Sequence, residues 1–179
     1  MSIYFFALLP DGNACADVER RVDGLRDDHR LQGKPIPPRR LHVSLHPFAG
    51  FIRLPGCAGT AIRRAADVVR MPPFRIEFDS AASFGGGERR PLVLLHSDDL
   101  PALSHFYARL GTEMRKVGLR PAGRRFTPHM TVLYDNAVVR DRAVEPVAWT
   151  AREFVLVHSF RNSRGEREHE HLARWPLAA

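Results

Sequence analysis

The sequence predicts an α+β protein made of two related lobes, on three observations. First, a short phrase occurs twice: Arg39-Arg40-Leu41-His42-Val43-Ser44-Leu45, and Arg124-Arg125-Phe126-Thr127-Pro128-His129-Met130-Thr131-Val132-Leu133. The two histidines lie 87 residues apart, about half the chain. Second, segments of period two and of helical period follow one another, but not in the regular alternation of a doubly wound parallel sheet. Third, 179 residues with 44% hydrophobic content suit one domain of ordinary size, or two small lobes sharing a core.

The elements follow in order. Ile3-Tyr4-Phe5-Phe6-Ala7-Leu8 reads as a buried first strand; it has no basic leader, stops at Pro10-Asp11-Gly12 and is too short to span a bilayer. Asp11 or Asn13 caps a helix over about 14–30, with Cys15, Val18, Val22 and Leu25 at helical spacing. Three prolines and a glycine between Gly33 and Pro38 break it before the first histidine strand. Pro55-Gly56 opens a second helix over about 57–70, which Met71-Pro72-Pro73 ends. The alternation of residues 74–79 predicts a half-buried strand, and Gly85-Gly86-Gly87 connects it to another over 91–96. Asp98 or Asp99 caps a third helix over about 101–117, closed by Gly118, with Leu103, Phe106, Leu110 and Met114 on one face. The second histidine strand follows, then a strand near 151–159, a turn at Asn162-Ser163-Arg164-Gly165, and a last strand ending Leu172-Ala173-Arg174-Trp175-Pro176-Leu177.

The net charge of +7 is almost all arginine, since lysine stands only at Lys34 and Lys116. Arginine's planar fork suits phosphate and nucleic acid, although an arginine-rich balance also follows from a GC-rich genome. Cys15 and Cys57 have no CxxC spacing, which predicts a reduced, intracellular protein with incidental thiols.

In a strand, residues i and i+2 share a face. Each phrase therefore presents an imidazole and a hydroxyl side by side: His42 with Ser44, and His129 with Thr131. A single strand histidine is usually a core or surface residue. Two in matched phrases, placed symmetrically, point instead to acid–base chemistry on a phosphate ester. Histidine titrates near neutrality, so one imidazole can start neutral and take a proton while the other starts charged and gives one. The hydroxyls can hold the non-bridging oxygens, and the scheme requires neither metal nor cofactor.

Over nearly its whole length the chain resembles the 2H phosphoesterases, and among them the RNA 2′,3′-cyclic phosphodiesterases long called 2′-5′ RNA ligases. The resemblance rests on residues 3–8 as the opening strand, Leu41-His42-Val43-Ser44-Leu45 as the first motif, Phe126-Thr127-Pro128-His129-Met130-Thr131 as the second, and 172–177 as the ending. It implies one domain over residues 1–179 in two pseudo-symmetric lobes of mainly antiparallel sheet, with helices on the outer faces and the site between. It also implies His42 as proton donor to the 3′ oxygen, His129 as proton acceptor for water, and Ser44 and Thr131 as phosphate ligands. The product would be a 2′-phosphomonoester, with reversible 2′-5′ ligation, small cyclic nucleotides or ADP-ribose cyclic phosphate as neighbouring activities. The expected partner is RNA ending in a cyclic phosphate, and the expected protein a cytoplasmic monomer without membrane, metal or cofactor. The rival from another class is an RNA-binding module without turnover, which has no use for two matched imidazoles.

Three departures from the family pattern stand out. Ser44 replaces the usual threonine; His46-Pro47-Phe48-Ala49-Gly50 runs one residue longer than is common; and Tyr134 stands where arginine is frequent. Phosphate charge then falls to Arg40 or Arg125, which read equally well as solvated residues flanking a strand. Phe48 and Phe126 fit either base stacking or the core. His46 shares a face with His42 and Ser44 on the simple alternation. A zinc site from His42, His46, His169 and His171 lacks any securing spacing. The run Glu166-Arg167-Glu168-His169-Glu170-His171 reads as a solvated hairpin arm, and the triple glycine lacks the Lys-Ser/Thr of a nucleotide loop.

Overall fold

The computed structural model describes residues 2–48, 56–85, 87–121 and 126–179. Along the chain run β1 (Ile3–Leu8), α1 (Gly12–His29), β2 (Val43–Phe48), α2 (Gly56–Asp67), β3 (Phe74–Ser83), β4 (Arg90–Leu95), α3 (Pro101–Lys116), β5 (His129–Asp135), β6 (Arg142–Ala151), β7 (Glu153–Arg161) and β8 (Arg167–Pro176). The strands form one antiparallel eight-stranded sheet in the order β6-β3-β4-β5-β2-β1-β7-β8. It is curled, and its two four-stranded lobes meet where β5 adjoins β2.

One face of the sheet is the core. Phe6, Leu8, Val43, Leu45, Ile76, Phe78, Leu92, Leu94, Met130 and Val132 are buried there against Val18, Val22 and Leu25 of α1, Ile62 of α2, and Leu103, Phe106 and Leu110 of α3. At roughly 1.5–3 kcal/mol for each large apolar side chain removed from water, this face dominates the folding energy. Phe6 joins the chain ends, meeting Phe48 at 5.3 Å, Phe154 at 5.7 Å and Trp175 at 5.8 Å. The Trp175 indole N–H donates to Asp67 at 2.7 Å. No helix among the described residues is long and apolar enough to cross a membrane.

Local chemistry explains the element ends. Asp11, rather than Asn13, caps α1, accepting from the Ala14 N–H at 2.9 Å. Neither Asp98 nor Asp99 caps α3; its N-cap is Leu100, with no side-chain bond, and Pro101 supplies the preset φ of a first turn instead. The sequence reading missed β6, because Pro146 interrupts it. Proline is tolerated there because β6 is an edge strand.

The first histidine strand carries a β-bulge. Ala7 pairs with Ser44 but Phe5 pairs with Pro47, so β2 carries one extra residue between them. The bulge reverses the alternation: Leu45 and His46 are both buried, Pro47 is exposed and Phe48 enters the core. His46 thus does not share a face with His42. Its Nε2–H donates to the Tyr107 carbonyl at 2.9 Å and its ring stacks on Tyr107 at 3.9 Å.

β2 and β5 share only the pair Val43↔Met130. Beyond it, the proline-rich segment takes over the pairing with β5, through Pro35↔Leu133 and an Ile36 N–H to Val132 carbonyl bond of 2.7 Å. Fully paired strands lie about 4.8 Å apart. The two histidine strands diverge instead, opening a space between the lobes.

Candidate active site

Val43 and Met130 both face the core at 0% exposure. Their flanking residues must therefore face the other side of the sheet, where His42, Ser44, His129 and Thr131 line one cleft of about 440 Å³. The antiparallel register around Val43↔Met130 sets His42 across from Thr131 and Ser44 across from His129. The register thus puts the two imidazoles diagonally opposite one another, and the two hydroxyls on the other diagonal.

The two imidazoles are hung alike. His42 Nδ1 lies 2.7 Å from the carbonyl of Arg40, and His129 Nδ1 lies 2.8 Å from the carbonyl of Thr127, each two residues upstream. A carbonyl only accepts, so each Nδ1 carries hydrogen and each Nε2 is left for proton transfer. Phe5 packs on His42 at 5.0 Å and Phe84 on His129 at 5.2 Å, further fixing the rings. Neither the Ser44 nor the Thr131 hydroxyl has a hydrogen-bond partner among the described residues, so both are available to a ligand.

The rest of the lining combines two guanidiniums and other polar groups with a few apolar side chains. Arg40, Arg167, His169 and Ser159 join the four, with Ile3, Ile36, Pro91 and Tyr134, and no carboxylate is among them. Arg167 donates to the Ser159 hydroxyl at 3.0 Å. Burial and the facing charge of Arg167 both lower the pKa of Arg40. Burial likewise lowers that of His42, with the positive charge of Arg40 and His129 adding to it and the Arg40 carbonyl opposing. His169, whose ring meets His42 edge-on at 5.1 Å, is pushed down to about 3 by burial and by His42, Arg40 and Arg167. Concentrated positive charge without a counter-ion is an anion site.

Arg40, predicted from sequence, is in the cleft, whereas Arg125 lies outside the described residues. Phe48 is in the core and Phe126 stacks on Tyr107 at 4.0 Å, lining a separate depression; neither reaches the cleft. The run Glu166 to His171 is a hairpin arm, as expected, but one of its faces is on the cleft rather than in solvent. It opens β8, whose pairing Ser159↔His169 brings Arg167 and His169 to the cleft face. The sequence did carry a signal: Arg167, His169 and His171 alternate with Glu168 and Glu170, which separates cations from anions across a strand. Among the described residues no three His, Cys, Asp or Glu side chains group closely enough to hold a metal ion.

Comparison with known proteins agrees with this geometry. A family model described as the 2′-5′ RNA ligase superfamily matches residues 14–162. Among solved structures, E. coli LigT complexed with ATP superposes with a TM-score of 0.75 at 22% identity, over 99% of both chains. LigT in its apo form gives 0.74 at 24% identity, over 99% of this chain and 98% of that one. TT0787 of Thermus thermophilus gives 0.73 at 21%, over 99% and 98%. Comparison with curated protein sequences finds no match. The family model spans both histidine phrases and the LigT fold is matched end to end, so this chain belongs to the 2′-5′ RNA ligase superfamily of 2H phosphoesterases.

Proposed function

We propose that the protein hydrolyses 2′,3′-cyclic phosphate ends of RNA to 2′-phosphomonoesters, as a single domain over residues 1–179 and a cytoplasmic monomer. One observation carries this reading: two imidazoles with equivalent carbonyl anchors share a carboxylate-free cleft with two open hydroxyls and two guanidiniums. A binding module gains nothing from two such matched rings.

In this mechanism the cyclic diester sits between the diagonal histidines, its non-bridging oxygens on Ser44 and Thr131. His129 Nε2 accepts a proton from water as the water oxygen bonds to phosphorus. The bond from phosphorus to the 3′ oxygen breaks, and His42 Nε2 gives that oxygen its proton. In the free protein burial favours neutral His42. The diester's negative charge favours the imidazolium the step needs, so substrate binding itself arms the acid. Arg40 and Arg167 neutralise charge growing on phosphorus oxygens, and proton transfer and hydrogen-bond donors carry the chemistry without a Lewis acid.

The test is product analysis after incubation, with EDTA present, with an RNA ending in a 2′,3′-cyclic phosphate. A 2′-monophosphate end is expected. A 3′-monophosphate end, an unchanged RNA, or activity restored only by zinc or manganese contradicts the proposal. Parallel incubations with ADP-ribose 1″,2″-cyclic phosphate and with a 5′-hydroxyl RNA acceptor read out the neighbouring activities.

A further inference from the structure

We infer that Tyr134 and the depression beyond it form a subsite for a nucleobase one nucleotide away from the reacting phosphate, so that this chain prefers an oligonucleotide end to a mononucleotide. The inference deepens the proposed function and rests on it. Tyr134 is the aromatic among the exposed large hydrophobic side chains of the described residues, with 41% of its surface open. Its open ring face is available to a stacking partner such as a base.

Tyr134 lines two adjoining hollows at once. One is the cleft that holds the histidines; the other is a depression of about 280 Å³ lined also by Gln32, Gly33, Arg89, Asp135 and Asn136. β5 carries a bulge between Thr131 and Tyr134, which turns both side chains to the cleft face; three residues of strand separate them by up to about 10 Å. A phosphate held at Thr131 therefore does not itself reach the second hollow, but the neighbouring nucleotide does.

The second hollow has a firm floor. The Asp135 carboxylate accepts from the backbone N–H groups of Gln32 at 2.7 Å, Gly33 at 2.6 Å and Ala137 at 2.8 Å. These bonds, that from Ala137 foremost, hold it below the usual carboxylate range and engage both of its oxygens. A Cβ on Gly33 would stand 2.3 Å from the Tyr134 carbonyl oxygen, so the two backbones are in close contact and the ring's base is fixed. With its one carboxylate so occupied, the hollow is not a cation site. Its other polar and aromatic groups are the Tyr134 ring, the Arg89 guanidinium, the Asn136 side-chain amide and the Gln32 amide, whose Nε2 also donates to the Arg30 carbonyl at 3.1 Å. An aromatic face takes any base, a guanidinium takes the intervening phosphodiester, and amides offer both donor and acceptor to a base edge.

The experiment measures kcat/KM for a 2′,3′-cyclic mononucleotide and for a dinucleotide carrying the same cyclic end, with wild type, Tyr134→Ala and Tyr134→Phe. Wild type should prefer the dinucleotide by about fivefold to about a hundredfold, the range one base–aromatic stack commands. Tyr134→Ala should bring the ratio close to one, and Tyr134→Phe should keep it. Equal rates on both substrates in wild type, or a preference that survives Tyr134→Ala, overturn the subsite. A Tyr134→Ala loss equal for both substrates also overturns it, because the ring would then serve the terminal base. If neither substrate turns over, the proposed function fails. The subsite is then decided by titrating the wild type and Tyr134→Ala with a dinucleotide 2′-monophosphate. Weaker binding by the same factor in the variant supports it, and equal binding overturns it.

Discussion

Binding of a fixed-charge anion should bring a proton with it onto His42. Sulfate is a suitable perturbation because it stays a dianion across the neutral range. Burial and the neighbouring cations lower the His42 pKa in the free protein, and an anion between His42 and His129 must raise it. A unit charge about 4 Å from the imidazolium contributes about 4 kcal/mol at an effective dielectric of 20, or about a thousandfold in affinity. Screening in an open cleft reduces this, so about tenfold to a thousandfold is the expected span. The sign follows from the bound-state pKa lying above the free-state value. The extra affinity is fully present below the free-state pKa and is lost as pH rises through the bound-state pKa, by at most about tenfold per pH unit for one proton. Calorimetric titration at constant ionic strength, in two buffers of different ionisation enthalpy, gives the affinity and counts the protons. Affinity that is flat or rising with pH, with no proton uptake, refutes the reasoning. His42→Asn should flatten the profile. If His129→Asn flattens it instead, the proton belongs to the other ring and the acid and base exchange places.

His42→Ala and His129→Ala should each lower turnover by about 10²–10⁴ and combine less than additively; a nitrophenyl leaving group, which needs little protonation, should rescue only the first. Ser44→Ala and Thr131→Ala should cost less, about 1.5–3 kcal/mol of transition-state binding, read as kcat/KM. Gly33→Ala forces a methyl to 2.3 Å from the Tyr134 carbonyl, where backbone cannot yield cheaply. It should lower stability by about 1–3 kcal/mol in denaturant titration, and an unchanged midpoint would contradict the close packing. Acid should destabilise the fold: burial lowers the pKa values of His42 and His46, and puts His169 at about 3. Stability is then full above the unfolded value of about 6.5 and is lost as pH falls below it, by up to about 1.4 kcal/mol per pH unit for a fully enclosed ring, and less for His169, which solvent screens. A melting temperature that does not change between about pH 7.5 and 5 would contradict this.

The chemistry-bearing residues were legible wherever strand period alone decides a side chain's direction. His42, Ser44, His129 and Thr131 needed only the i, i+2 rule and the repeated phrase to be placed together in one cleft. What was not legible depends on register and on distant pairing. The bulge in β2 leaves no clear local mark, yet it moves His46 off the face of His42 and puts Phe48, which fitted either role, in the core. Pro146 disguises an edge strand as a loop. Arg167 and His169 reach the cleft only because β8 pairs with β7, which itself pairs with β1 at the far end of the chain. Phe126 was ambiguous by composition, and only its stacking on Tyr107 places it away from the histidines.

The sheet order also implies an order of assembly. One lobe, β3 to β6, is a single uninterrupted stretch whose strands pair along Phe74 to Ala151. The other lobe is stitched from both ends, since β1 finds its partner in β7 through Phe5↔Val157 and Tyr4↔His158. Closing a long loop costs entropy before any contact repays it, so local pairings form faster. The continuous lobe should therefore condense first, and the His42 lobe only after the last two strands are available. A nascent chain already carries both histidine phrases when β5 is complete, but it gains Ser159, Arg167 and His169, and with them the cleft's outer wall, only when β7 and β8 dock. Catalytic competence is thus a late event in the life of each molecule, and shortening the C-terminus should abolish it while leaving both phrases untouched.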